Sequence, residues 1–76
     1  MRKIEGTPRS LHYVDGQPFA KIDVQVSTAA ELPELGEIVE GIGTDPGSNA
    51  QIIQSGDWAT LDADGSWYDK DGNEVN

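Results

Sequence analysis

A small all-β domain, an antiparallel meander or sandwich of short strands with one short helical turn near residues 28–32, is what this 76-residue sequence predicts. Three features carry the prediction. Residues 17–26 alternate strictly, with Ala20, Ile22, Val24 and Val26 on one side and Lys21, Asp23 and Gln25 on the other, the period of a half-buried strand. Short strand-like runs recur through residues 50–75, separated by Asp- and Gly-containing turns. Nine glycines and four prolines favour turns over long helices.

The elements follow in order. Residues 1–9 form a basic N-terminal arm, and residues 10–76 a single β domain. Ser10–Val14 precedes Asp15-Gly16, a two-residue hairpin signal leading into the alternating strand. Thr28 and Glu31 have the spacing of a capping box. Pro33, with no N–H and a ring that clashes with a preceding turn, stops any helix there. Residues 37–43 read as a weak strand, 44–48 as a turn and 50–54 as a strand. Residues 58–61 and 66–68 are strands, turned by Asp62-Ala63-Asp64-Gly65 and its echo Asp69-Lys70-Asp71-Gly72, and residues 73–75 add a last short strand.

Length and composition narrow the function. A chain this short folds as one domain and buries only roughly 60% of its unfolded surface. Leu, Ile, Val and Phe make up 16 of the 76 residues, close to the composition, about 20%, below which highly charged chains stay disordered. With no cysteine, neither a disulfide nor a thiolate metal site can reinforce the fold. Self-association or docking on a partner is the remaining remedy. The start of the chain lacks an apolar run of the signal-peptide kind, and no segment is apolar enough to span a membrane.

Charge is polarised. Residues 1–21 hold Arg2, Lys3, Arg9 and Lys21 against Glu5 and Asp15, whereas residues 22–76 hold only Lys70 against twelve acids, within a net charge of -9. A basic arm on an acidic body suits anchoring to an acidic surface, with solvated terminal charges as the plainer alternative. The acidic body repels phosphates, so no nucleic-acid partner is expected.

Residue chemistry for catalysis is sparse. The single histidine, His12, sits in a strand beside Tyr13, where a surface or hydrogen-bonded role is expected. Residues 41–46 lack the third glycine and the lysine of a phosphate-binding loop. Asp62, Asp64, Asp69, Asp71, Asn73 and Glu74 could offer oxygens to calcium, yet the EF-hand register fails: from Asp62, the fifth, sixth and twelfth positions are Ser66, Trp67 and Asn73. Turn geometry explains these aspartates, since Asp caps turns and Gly supplies positive φ. No enzyme activity, cofactor, metal or membrane partner is expected. Trp58, Trp67 and Tyr68 serve as core, as an interface or as stacking platforms. Trp67 and Tyr68 are adjacent and point to opposite faces of a strand, which favours an interface for at least one.

Three segments carry a resemblance: Ser27–Pro33 with its Leu-Pro, Pro46-Gly47-Ser48-Asn49-Ala50 leading into a strand, and Ser55–Tyr68 with aromatic–x–x–Leu–Asp–x–x–Gly–x–Trp. In this order they resemble small structural proteins of tailed bacteriophages, over a little more than half of the chain. The resemblance implies a non-enzymatic virion protein: an oligomeric capsid decoration or head-fibre-base subunit, with a neck or tail part also within the family. Its partners would be copies of itself and the major capsid or other virion proteins, and its location the capsid surface. The resemblance is silent on the basic first 21 residues. Interface candidates are Arg2, Lys3, Arg9, Trp58, Trp67 and Tyr68. Two other classes fit the composition: an acidic DNA mimic that inhibits a basic enzyme, and a small carbohydrate-binding β module using Trp58 or Trp67.

Overall fold

The computed structural model describes residues 2–75. It is all-β, with one 3-10 turn. Eight strands form a single sheet: β1 (Lys3–Val14), β2 (Gln17–Val26), β3 (Ile38–Val39), β4 (Ile42–Thr44), β5 (Asn49–Ile52), β6 (Asp57–Leu61), β7 (Trp67–Asp69) and β8 (Glu74–Val75). The 3-10 turn covers Ala29–Glu31.

The alternation in residues 17–26 becomes the spine of the molecule. Ala20, Ile22, Val24 and Val26 are fully or almost fully buried. They pack with Ala50, Ile52, Ala59, Leu61, Val39 and Trp67 on the inner face, and Ile4, Leu32 and Val75 lie against them. Along one edge of β2, β1 pairs antiparallel from Lys3↔Gln25 to Val14↔Gln17. Asp15 and Gly16 both have positive φ, as the tight hairpin requires.

The other edge of β2 is shared by two strands, both parallel to it. β4 pairs with Phe19 and Ala20, and β5 pairs with Asp23 to Val26. The sheet is therefore mixed, and only β5 to β8 form the expected antiparallel meander. The parallel pairing needs a crossover. Residues 27–41 provide it, a length in keeping with the dozen or so residues that parallel connections take. The crossover closes over the core: Pro33 is fully buried, and its carbonyl accepts the Trp67 indole N–H at 2.8 Å.

Between β4 and β5 the chain carries two residues more than the stretch of β2 it faces. The excess is Pro46-Gly47, looped out between two anchors. Asp45 N–H donates to Ala20 O at 3.0 Å. Ile22 N–H donates to the Ser48 hydroxyl at 3.0 Å, and that hydroxyl donates in turn to Asp45 O at 2.7 Å. Gly47 N–H and Ser48 O then bond to Leu61, joining the break to β6. Ser48 is fully buried, as is Thr44, whose hydroxyl donates to Glu37 O. No buried side-chain polar atom among the described residues lacks a partner.

Three local expectations are corrected. Residues 37–43 are not one strand but a second tight hairpin: Val39 faces Ile42 across Glu40-Gly41, both at positive φ. The Thr28 hydroxyl makes no capping bond, and Glu31 instead accepts the Ser27 N–H at 2.7 Å. Residues 3–9 are the first half of β1 rather than an arm ahead of the domain, because β2 needs a partner along its whole edge. That strand is irregular: its register shifts between Glu5 and Arg9 and again between Arg9 and His12, around Gly6, Pro8 and Ser10. Bulges and proline discourage a further strand from adding to this edge.

The sheet curls enough for β3 to reach β1. Glu37 forms an ion pair with Arg2, and Glu40 Oε2 accepts the Ile4 N–H at 2.5 Å. Glu37 is held below the usual carboxylate range, first by the Glu34 N–H and then by Arg2.

Replacing Ser48 by Ala leaves the buried Ile22 N–H without an acceptor, which should cost about 1–3 kcal/mol. Urea unfolding should show the midpoint of Ser48→Ala falling well below that of Ser55→Ala, an exposed-turn control; equal midpoints would show that the Ser48 hydroxyl does not hold the break.

Candidate functional site

The outer face of the sheet collects most of the sequence-selected residues. Two cross-strand rows run over it. One passes through Glu5, Asp23, Asn49, Thr60, Tyr68 and Glu74, and the other through Lys3, Gln25, Gln51 and Trp58. The first row is a hydrogen-bonded ladder. Arg9 donates to Asp23 Oδ1 at 2.8 Å, Asn49 Nδ2 donates to the same oxygen at 3.3 Å, and the Thr60 hydroxyl donates to Asn49 Oδ1 at 2.8 Å. Side chains chosen by alternation to point away from the core thus satisfy one another across four strands.

The six interface candidates separate by face and by end. Trp67 is in the core, 5% exposed, and offers no ring to a partner. Its neighbour Tyr68 points outward, half-buried, and its hydroxyl donates to Asp64 Oδ2 at 2.6 Å. Trp58 is 55% exposed on the outer face, beside a cleft of 160 Å³ between Gly56–Trp58 and Asp69–Asp71. Arg9 is engaged in the ladder, Arg2 pairs with Glu37 at the curled margin, and Lys3 sits opposite Gln25.

The aspartate-rich turns are occupied by their own backbone. In both Asp-x-Asp-Gly loops the glycine N–H returns to the carbonyl of the first Asp, and the N–H of that Asp bonds to the residue after the glycine, Ser66 or Asn73. Asp62 accepts the Ala63 N–H, Asp64 the Ser66 N–H, and Asp69 the N–H groups of Asp71 and Asn73. No group of three or more His, Asp or Glu side chains among the described residues is gathered for a metal ion. The aspartates act as turn formers, and they stand apart from one another as acceptors.

The hairpin end of the sheet holds a feature that sequence reading missed. His12 stacks on Phe19 with ring centroids 5.9 Å apart, and its Nε2 lies 2.7 Å from Asp45 Oδ2. Phe19 lies flat over Gly43, where a Cβ would come within 2.2 Å of the ring. Gln17 Nε2 donates to Gly41 O at 2.9 Å. These contacts lash the β1–β2 hairpin to the β3–β4 hairpin. His12 is half exposed and works as a tie between elements. Beyond the tie, Leu11, Tyr13 and Val14 are 51%, 66% and 50% exposed. The alternation in Ser10–Val14 signals a strand but gives no sign of how far it outruns the core. No helix among the described residues is long and apolar enough to cross a membrane.

The Tyr68–Asp64 bond shifts both groups. The Tyr68 hydroxyl, followed by the Ser66 N–H, holds Asp64 below the usual carboxylate range, while Asp64 pushes Tyr68 above the usual tyrosine value. The Asp64 contribution is present above the unfolded carboxylate pKa and is lost as pH falls through the lowered folded value. The Tyr68 contribution is present below about pH 10 and is lost as pH rises through the raised folded value. In a Tyr13→Phe background, tyrosinate absorbance should therefore report Tyr68 ionising late, and Asp64→Asn should bring that step down in pH. An unmoved step would mean that the bond does not form in solution.

No protein family, curated protein or solved structure matches the chain.

Proposed function

We propose that the chain is a non-enzymatic structural protein of a tailed-bacteriophage virion, an oligomeric subunit that decorates the capsid or forms the base of a head fibre, with its own copies and capsid protein as partners. The observation that carries the reading is the distribution of exposed apolar groups. With ten buried core hydrophobics among the described residues, the domain leaves Leu11, Tyr13, Val14, Ile53 and Trp58 in solvent towards the two ends of its sheet, and Leu35 and Ile38 exposed on the crossover and β3. Large exposed apolar groups mark interaction surfaces, and a small core gains stability from assembly by mass action.

The three segments of the phage resemblance also meet in space. The Leu-Pro segment accepts the Trp67 indole, and the Pro-Gly-Ser turn bonds to Leu61 at the start of the Trp hairpin. They make one scaffold, which supports reading them as a unit. The acidic-mimic alternative finds less support, because several of the acids that would be displayed are engaged by their own turns.

Light scattering on a sizing column should give a mass several times 8.2 kDa, unchanged by chelator. A monomer at every concentration would remove the assembly reading.

One observation favours a second reading, a carbohydrate-binding module: Trp58 lies open on the outer face between Gln51 and Thr60, an apolar ring bordered by hydrogen-bonding groups. Titration with cellohexaose and with an N-acetylglucosamine hexamer would change Trp emission in the native chain and leave Trp58→Phe unchanged if this reading holds. Flat titrations with both sugars would count against it.

A further inference from the structure

We propose that the cleft beside Trp58 takes a single neutral sugar ring, the end ring of a glycan, stacked on the indole and hydrogen-bonded by Asp57, Lys70 and Asp71. The proposal rests on the carbohydrate-binding reading above and specifies its ligand.

The cleft forms where two turns meet. Ala59 pairs with Asp69, so β6 and β7 bring Trp58 level with the β7–β8 turn. Gly56–Trp58 make one wall and Asp69–Asp71 the other. Both walls are fixed by their own backbone. Gly56 N–H donates to Ile52 O at 2.8 Å, and Asp69 Oδ1 accepts the N–H groups of Asp71 and Asn73. A recess already in shape loses little conformational freedom when a ligand enters.

The polar groups of the cleft differ from those of the remaining outer face. Elsewhere they engage one another: Arg9, Asp23, Asn49 and Thr60 in the ladder, Gln25 with Gln51 at 3.4 Å, and Tyr68 with Asp64. Around Trp58 they do not. Among the described residues, no hydrogen bond or ion pair engages the Asp57 carboxylate, the Asp71 carboxylate or the Lys70 ammonium, although all three line the same cleft. A half-exposed indole ringed by unengaged acceptors and a donor suits a ligand with an apolar face and a polar edge.

Charge and size then select the ligand. Lys70 disfavours a cationic group, and the carboxylates of Asp57, Asp69 and Asp71 disfavour an anionic one. A neutral pyranose escapes both penalties. Its C–H face lies on the indole, and its hydroxyls both donate to Asp57 and Asp71 and accept from Lys70. The cleft holds 160 Å³, about half of the roughly 300 Å³ at which pockets for drug-sized ligands begin, so one ring fills it. No second aromatic platform continues the site: Tyr68 is half-buried with its hydroxyl committed to Asp64, and Gln51 and Gln25 are bonded to each other.

NMR titration of the isotope-labelled chain tests the proposal. The Trp58 indole N–H and the Lys70 and Asp71 amides report the cleft, and the Trp67 indole N–H reports the core. Methyl β-glucoside and N-acetylglucosamine are compared with cellohexaose and the N-acetylglucosamine hexamer, and with methyl β-glucuronoside as an anionic counterpart. At least one single ring should shift the cleft signals and leave Trp67 in place. Its Kd should match that of its own hexamer within about threefold, less than the tenfold that about 1.4 kcal/mol of extra contact brings. The glucuronoside should leave the native chain unchanged and bind the double variant Asp57→Asn with Asp71→Asn, which keeps the oxygen acceptors and removes two charges. Lys70→Met should weaken the neutral ring about tenfold. A hexamer bound more than about tenfold tighter than its single ring would overturn the one-ring cleft and leave the carbohydrate reading standing. A glucuronoside bound by the native chain as well as the glucoside would overturn the selection by charge. Cleft signals unmoved by every sugar would overturn both the cleft and the reading it rests on.

Discussion

β2 must be hydrogen-bonded along both edges while its inner face supplies the middle of the core, and the chain meets that demand with pieces too short to do it alone. One edge is served by β1. The other is served by β4 and β5 in succession, with Pro46-Gly47 looped out between them. A proline has no N–H to give, so an uninterrupted strand through residues 44–49 would leave a gap in the ladder. The Ser48 hydroxyl fills it, accepting from Ile22 N–H and donating to Asp45 O. An unpaired backbone group at that depth costs about as much as a lost buried hydrogen bond. The rest follows from this splice. Because β4 and β5 both run parallel to β2, the chain must cross over, and the crossover roofs the core. Because they diverge past the break, one branch becomes the β3–β4 hairpin and the other the β5–β8 meander.

Local chemistry was legible in the sequence wherever it decided the outcome. The alternation of residues 17–26, the Asp15-Gly16 turn and the Asp-x-Asp-Gly turns each specify their own conformation, and each forms as expected. The parallel pairing was not legible, because it joins Phe19 to Gly43 and Val24 to Ala50 across long separations and leaves no periodic mark. The Glu40-Gly41 hairpin was missed because glutamate is not a residue that favours positive φ, and Glu40 adopts it where its carboxylate can reach the Ile4 N–H.

The candidate site was half legible for the same reason. Alternation alone shows that Trp67 and Tyr68 oppose each other. Which of them faces the core depends on Leu61↔Trp67, a register set by the loop between β6 and β7. The ladder from Arg9 to Thr60 draws on four strands and could not be read from any one of them. The aspartates of the last third, by contrast, read as turn formers from the sequence, and in the fold several accept the N–H groups of their own turns.

Burial and charge then divide the surface. The hydrogen-bonded ladder of Arg9, Asp23, Asn49 and Thr60 occupies the centre of the outer face. The exposed apolar side chains gather at the ends, where strands outrun the core. A chain of net charge -9 repels its own copies over most of its surface. Apolar area is concentrated instead at side chains such as Leu11, Tyr13 and Val14 of the β1–β2 hairpin. The bulged, proline-bearing edge of β1 resists strand addition. In this way the acidic composition and the irregular first strand act together: one opposes indiscriminate association, and the other opposes fibre-like growth along the β1 edge.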